Sequence, residues 1–169
     1  TAFTKTKSVD EILVREVNHR VKNSLQMVMS ILSIQARQCA DPVIKKIFNE
    51  NVSRVLSIAS THDIISHNEQ YDKVSAKAVV EQVVQNLRVL CLEQENINLS
   101  VTGDDVLIGT DMASSVALVV NELVSNAIEH AYKERNRGKI HVIIQKGRLF
   151  TTILVEDDGR GFDVKALEG

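Results

Sequence analysis

From Val9 to Ala40 the chain contains neither proline nor glycine, and its apolar residues recur at helical spacing. Val14, Val21 and Val28 fall seven apart, with Leu25 and Leu32 forming a second series offset within the first. A seam of this period is satisfied by a long helix lying along another helix. The one proline of the chain then follows Asp41. Proline disfavours a helical residue before it and suits the first turn of a new helix, so the chain should break at Asp41-Pro42 and restart. The second helix is predicted to run to about His67, with Ile44, Phe48, Val52, Val55, Ala59 and His62 as its apolar stripe. Two long helices with a short connection form an antiparallel hairpin. Alone it has a single buried seam, so a second copy completing a dimeric four-helix bundle is the economical solution, with Leu25, Val28, Leu32, Phe48 and Val55 inside.

After "SHNEQYDK" the pattern changes. A helix fits Ser75 to Cys91, with Val79, Val80, Val83, Val84 and Leu87 on its buried side. "INLSVTG" alternates with the period of a strand, Ile97, Leu99 and Val101 sharing one face. A long helix is predicted from Thr110 or Asp111 as N-cap to Tyr132. "KIHVIIQK" and "LFTTILVED" are two strands joined by a turn at Lys146-Gly147-Arg148. The fold class is therefore α+β: a helical hairpin over residues 1–70, then an α/β sandwich over 71–169, with the boundary near Asn68 to Lys73.

Composition excludes several classes of function. Lys and Arg (20) nearly balance Asp and Glu (22) and form no basic run, which argues against a nucleic acid partner. No apolar run approaches the roughly 18 residues of a membrane segment, and "TAFTKTKSVD" lacks the apolar core of a signal peptide. Cys39 and Cys91 lie far apart without metal-ligand spacing, so neither a disulfide framework nor a zinc site is expected.

Three polar features stand out on these elements. In "EVNHRVKN", His19 points almost opposite to the Val14/Val17/Val21/Leu25/Val28 stripe at about 100° per residue, so it should face solvent, sharing its face with Glu16 and Asn23 and flanked by Arg20. An exposed imidazole beside a carboxylate can lose a proton from one nitrogen while the other attacks; a solvated surface carrying a chance histidine is the plain alternative. The helix from Asp111 is apolar nearly all round except for a stripe of Asn121, Glu122, Ser125, Asn126 and Glu129. Amides and acids on one line of a buried helix call for something polar above them, and their hard oxygens suit a magnesium–nucleotide complex; an ordinary wet face would look the same. Finally, in "VEDDGRGF" Asp157 continues the inward parity of Thr151, Ile153 and Val155, while Gly159 and Gly161 permit close backbone approach.

In this order, the three features resemble the cytoplasmic catalytic part of bacterial two-component sensor histidine kinases, within the subfamily whose phosphoacceptor box reads E-x-x-H-R-x-K-N. "EVNHRVKN" is similar to that box, "NELVSNAIEHA" to the N box and "EDDGRGF" to the first glycine box. The resemblance, from about Val9 to Phe162, implies a dimerising phosphotransfer hairpin followed by a GHKL-type (Bergerat) ATP-binding sandwich. It implies that His19 accepts the phosphoryl group, with Glu16, Arg20 and Asn23 beside it. It further implies that Asn121, Glu122 and Asn126 lie near the phosphates of ATP and a Mg2+ ion held by Asn126 and Glu122, that Asp157 takes the adenine amine, and that Gly159 and Gly161 shape the nucleotide wall. Many sensor kinases carry an acid immediately after the histidine; here that place is Arg20, and Glu16 is the candidate for orienting the ring.

The reaction so implied is ATP-dependent autophosphorylation of histidine, followed by transfer to an aspartate on a response-regulator receiver domain. Two other classes compete: a phosphotransfer adaptor whose ATP-like domain is inert, and an ATP-binding regulator without histidine chemistry. Sensor kinases continue past the first glycine box into a lid and a second glycine box, whereas this sequence stops at "DVKALEG". The expectation is a fragment that binds ATP weakly and autophosphorylates little.

Overall fold

The computed structural model describes residues 2–67, 72–90, 97–131 and 137–161. Helix α1 spans Ala2–Gln38 and helix α2 spans Pro42–Ser66. The break falls where the proline puts it. Asp41, extended at φ −76° and ψ 119°, caps α2 by accepting the amide N–H groups of Val43 and Ile44, with Pro42 in the first turn. The two helices pack antiparallel, tied on one flank by Lys22 Nζ to Asp63 Oδ2 at 2.8 Å. Leu25, Leu32, Phe48 and Val55 are half-buried along the hairpin, but Val28 is exposed, as are Val17, Met27, Ile31 and Ile34. The side chain of Val14 lies outside the described residues.

The second half alternates helix and strand. Strand β1 (Lys73–Ser75) leads into α3 (Ala76–Leu90), where Ser75 Oγ accepts the N–H of Ala78 as an N-cap. Strand β2 (Ile97–Gly103) and the short β3 (Leu107–Gly109) precede α4 (Thr110–Asn126). A π-helical turn, Ala127–Ala131, continues α4. Strands β4 (Gly138–Lys146) and β5 (Thr151–Asp157) complete the described chain. The larger sheet has the order β2-β4-β5, with β2 parallel to β4 and β4 antiparallel to β5. The parallel pair needs a long crossover, which α4 supplies.

One core holds this half together. Val79, Val80, Val83, Val84 and Leu87 of α3 are all buried, as their spacing predicts, against Ala113, Ala117, Val120 and Val124 of α4 and Leu99, Ile140, Val142 and Ile144 of the sheet. Ile64 and Ile65, near the end of α2, pack on the edge of the same cluster.

Four details depart from the sequence reading. Pairing of β1 with β3 adds a second, two-stranded sheet, too short for alternation to reveal. The N-cap of α4 is Gly109, without a side-chain bond; Thr110 is already helical because its N–H is taken by Asp72 O at 3.1 Å. Helix α4 is not buried all round, since Met112, Val119 and Leu123 are exposed. Strand β5 begins at Thr151, leaving Leu149 and Phe150, 86% and 78% exposed, in the connecting turn. Cys91, Tyr132 and Phe162 lie outside the described residues, as do 68–71 of the expected boundary.

At the end of β2, Gly103 has φ 106°, and an added Cβ would collide with the backbone of Ile144. Gly103→Ala combines a left-handed backbone with a clash that no side-chain movement relieves. It should cost about 2 kcal/mol or more, read as a lower denaturant midpoint; an unchanged midpoint would show that this strand end can rearrange.

Candidate functional site

His19 lies on the outer surface of α1 with an exposed ring, and Glu16, Arg20 and Asn23 are exposed around it. The carboxylate of Glu16 is turned to Arg20, whose Nε donates to Oε1 at 3.0 Å across one helical turn. Glu16 is thus spent along the helix on Arg20 rather than on the imidazole, a pairing that i,i+4 spacing favours. The nearest tie from this segment to the rest of the hairpin is Lys22 to Asp63.

The polar stripe of α4 is covered, and what covers it is α2. Asn121, 2% exposed, accepts Ser53 Oγ at 2.8 Å and Ser57 Oγ at 3.0 Å on its Oδ1, and donates from Nδ2 to Glu122 Oε1 at 3.3 Å. Both oxygens of Glu122 are taken by Arg54, Nε to Oε1 and Nη2 to Oε2, each at 2.8 Å. That fork is the strong form of a carboxylate–guanidinium pair. Further along the stripe, Lys46 Nζ bonds Glu129 Oε1 as a single ion pair. Asn126, at the C-terminal end of α4, is exposed. The structure therefore separates two groups that one stripe seemed to join: Asn121 and Glu122 are engaged within the protein, whereas Asn126 is open.

The third element sits at the same end of α4. Asp157 pairs in register with the buried Ile140, which puts its side chain on the core side of the sheet, yet it lies beyond the core's edge and is exposed. Its Oδ1 accepts the N–H of Gly159 at 2.9 Å. Gly159 lies so close to Ala131 that any Cβ would overlap that residue's backbone and methyl, and Arg160 N–H reaches Ala131 O at 3.3 Å. Gly161 serves differently from the reading by close approach: nothing lies within 4 Å of its would-be Cβ, but φ is 66°, a left-handed conformation that glycine adopts without strain.

Electrostatics follow the pairing. The hydrogen bonds from Arg54 hold the Glu122 carboxyl below the usual carboxylate range, against the opposing effect of burial, and raise the guanidinium in turn. Lys46 is raised by its bond to Glu129. Among the described residues no cluster of three or more His, Cys, Asp and Glu could hold a metal by itself. The donors that suit Mg2+ are Asn126, which is open, and Glu122, which Arg54 would have to release.

Sequence reasoning missed the partners on α2. Ser53, Ser57 and Thr61 recur every four residues, and the 100° rotation per residue places them opposite the Phe48–Ala59 stripe. A line of small hydroxyls opposite an apolar line usually means water, and here it means a second helix interface. The signal that could have found it is the match in spacing between that line and Asn121, Ser125 and Glu129.

Comparison with known proteins follows this layout. Residues 16–91 match the family model described as histidine kinase, and residues 75–169 the one described as histidine kinase-like ATPase domain. A sensor histidine kinase, PdtaS, of Mycolicibacterium smegmatis is 32% identical over 152 residues, covering 89% of this chain and 30% of that protein. Blue-light-activated histidine kinase 2 of Erythrobacter litoralis is 28% identical over 152 residues, covering 86% of this chain and 43% of its own length. The chain thus spans well under half of the relatives it matches. Among solved structures, the histidine kinase domain of an Erythrobacter litoralis blue-light activated histidine kinase superposes with a TM-score of 0.58 at 26% identity, over 92% of this chain and 72% of that one.

Because the folded pKa of Glu122 is depressed, the pair with Arg54 stabilises above the ordinary glutamate pKa of about 4.3, and that contribution is lost as pH falls through the lower folded value. Glu122→Gln should destabilise at pH 7 by roughly 0.5–1 kcal/mol, the side chains being partly solvent-screened. The gap to wild type should close on acidification below the glutamate range. Denaturant titrations of both proteins at several pH values check this, and a gap that did not narrow as pH fell below the glutamate range would contradict it.

Proposed function

The chain belongs to the histidine kinase-like ATPase family, and we propose that it is the catalytic core of a sensor histidine kinase, with residues 1–70 as the phosphoacceptor hairpin and 71–169 as the ATP-binding unit. The observation that carries this reading is the seating of the 157–161 loop. Packing of Gly159 against Ala131 seats the loop on the turn that continues α4, and the exposed Asp157 carboxylate and exposed Asn126 are thereby carried at the same end of that helix, as a base and its phosphates would need.

In this reading Asp157 accepts the exocyclic amine of adenine, a bond that needs a base with an amino donor. Asn126 faces the phosphates and, together with Glu122 once freed, offers oxygen ligands to Mg2+. The bound ion would neutralise phosphate charge. A neutral nitrogen of His19 attacks the γ-phosphorus in line; the new N–P bond forms as the bond to the β–γ bridging oxygen breaks, and ADP leaves. The second ring nitrogen gives up its proton as the phosphorylated imidazole returns to neutrality, and Glu16 could accept it on exchanging Arg20 for the ring. The phosphoryl group then passes to an aspartate on a receiver domain. The exposed apolar side chains Val17, Met27, Val28 and Ile31 on α1 support docking of a second copy, giving a dimeric bundle. Among the described residues no helix is long and apolar enough to cross a membrane, in keeping with a cytoplasmic unit.

One observation favours a second reading, an inert ATP-like domain on a phosphotransfer adaptor: Asn121 and Glu122 are engaged by α2. Both readings meet the same assay. The intact protein incubated with labelled ATP should acquire a label that is lost in acid and stable in base, and His19→Gln should remove at least about 99% of it while circular dichroism stays unchanged. Label surviving at His62 or His130 would defeat the assignment.

Asp157→Asn should weaken adenine nucleotide binding by about 10- to 100-fold, the loss of a bond to a charged acceptor. Binding of inorganic triphosphate with Mg2+ should change little. Equal losses for both ligands would remove Asp157 from the base.

A further inference from the structure

The contacts over the polar stripe are those of a competitor. We infer that α2 is a latch on the phosphate end of the nucleotide site: Arg54, Ser53 and Ser57 occupy the oxygens of Glu122 and Asn121, and a magnesium-bound phosphate chain enters only when this contact opens. The inference rests on the reading of α4 and the 157–161 loop as a nucleotide site.

Occupancy is the first ground. A carboxylate presents two oxygens, and the Arg54 fork uses both. Asn121 is nine-tenths and more buried, its carbonyl oxygen shared by two hydroxyls. Ser53 and Ser57 take both lone pairs of Asn121 Oδ1, and a cation approaching Glu122 meets the positive guanidinium already bonded to both of its oxygens. The chemistry is also matched: a guanidinium on a carboxylate is what an incoming divalent cation must displace.

The character of the interface is the second ground. The contacts of α2 with α3 and α4 are largely hydrogen bonds and ion pairs, including Asn86 Nδ2 to Ser60 Oγ at 2.9 Å and Lys46 to Glu129. Among the described residues of α2, Ile64 and Ile65, at the far end of the helix, are the ones that pack on the apolar core of the sandwich. Groups of this kind can exchange protein partners for water, so the contact can part at its polar end and pivot at its apolar one. The third ground is selective coverage. Asp157 and Asn126 are exposed, whereas Asn121 is buried and the half-exposed Glu122 has both oxygens on Arg54. The latch holds Asn121 and Glu122 alone at the phosphate end, and Asn126 and the base end stay accessible.

The test uses the intact protein with Arg54→Met, which keeps the stem without the charge, and Arg54→Lys, which keeps the charge without the fork. Binding of adenosine and of Mg-ADP is measured by calorimetry, and amide hydrogen exchange of residues 50–61 and 119–126 is followed without ligand. With the latch, Arg54→Met binds Mg-ADP roughly three- to tenfold tighter than wild type, because a larger fraction is open. Adenosine binding is unchanged, Arg54→Lys falls between, and exchange rises in both segments of Arg54→Met before any ligand is added. Weaker Mg-ADP binding by Arg54→Met would make Arg54 a phosphate ligand and overturn the latch, as would equal affinity or an unchanged exchange pattern. If wild type and variants alike bind neither adenosine nor Mg-ADP, the nucleotide reading itself falls and the latch with it. Adenosine binding by all three proteins, with no preference for the variants by Mg-ADP, removes the latch and leaves that reading standing. Should Arg54→Met not fold, the intermediate effect of Arg54→Lys decides alone.

Discussion

A carboxamide buried in the middle of a helix must find donors for its oxygen, since leaving it bare costs about 1–3 kcal/mol. Asn121 finds them on α2, in Ser53 and Ser57. Two hydroxyls one turn apart converging on one oxygen fix both the rotation of α2 and its height against α4. Once these are set, the remaining pairs fall into place: Arg54 meets Glu122, Lys46 meets Glu129, and Ser60 meets Asn86. A shift by one residue would turn each of these groups by about 100° away from its partner.

Helix α2 consequently has two interfaces on opposite sides. Its apolar line belongs to the hairpin with α1, and its hydroxyl line to the sandwich of α3 and α4. The two interfaces differ in kind. The core of the sandwich, valine and isoleucine at near-zero exposure, is held by removal of apolar surface from water. The α2–α4 contact is held by satisfied polar groups, each worth about 1 kcal/mol net. It therefore specifies position more than it adds stability. A unit positioned by polar contacts is suited to taking more than one position, as the proposed phosphoryl transfer to His19 would require.

The 157–161 loop shows a different economy. Its shape comes from backbone constraints: Gly159 because Ala131 leaves no room, Gly161 because the chain turns through positive φ, and Asp157 because its carboxylate closes on the N–H of Gly159. The π turn Ala127–Ala131, a local widening of the helix, supplies the facing surface. Together they hold a carboxylate at an open edge, with no reliance on a long side chain.

What the sequence determined by itself is whatever depends on local chain chemistry. The hairpin break at Asp41-Pro42, the buried face of α3, the parity of the strands and the outward face of His19 are set by proline geometry and by the 3.6- and 2-residue periods, which act within one element. The three boxes were legible for the same reason, since each is contiguous. Tertiary structure alone decided where the polar stripe of α4 goes. Asn121, Glu122 and Asn126 read as one line facing one ligand, yet two are engaged by α2 and one is open. Ser53, Ser57 and Arg54 drew no reading from the sequence, yet they form the cover. The short β1–β3 pair and the exposed Leu149-Phe150 turn were hidden likewise. In each case the outcome depends on which distant element arrives opposite. A period in the sequence states that a face is polar or apolar, but the partner that satisfies it is chosen only when the whole chain has packed.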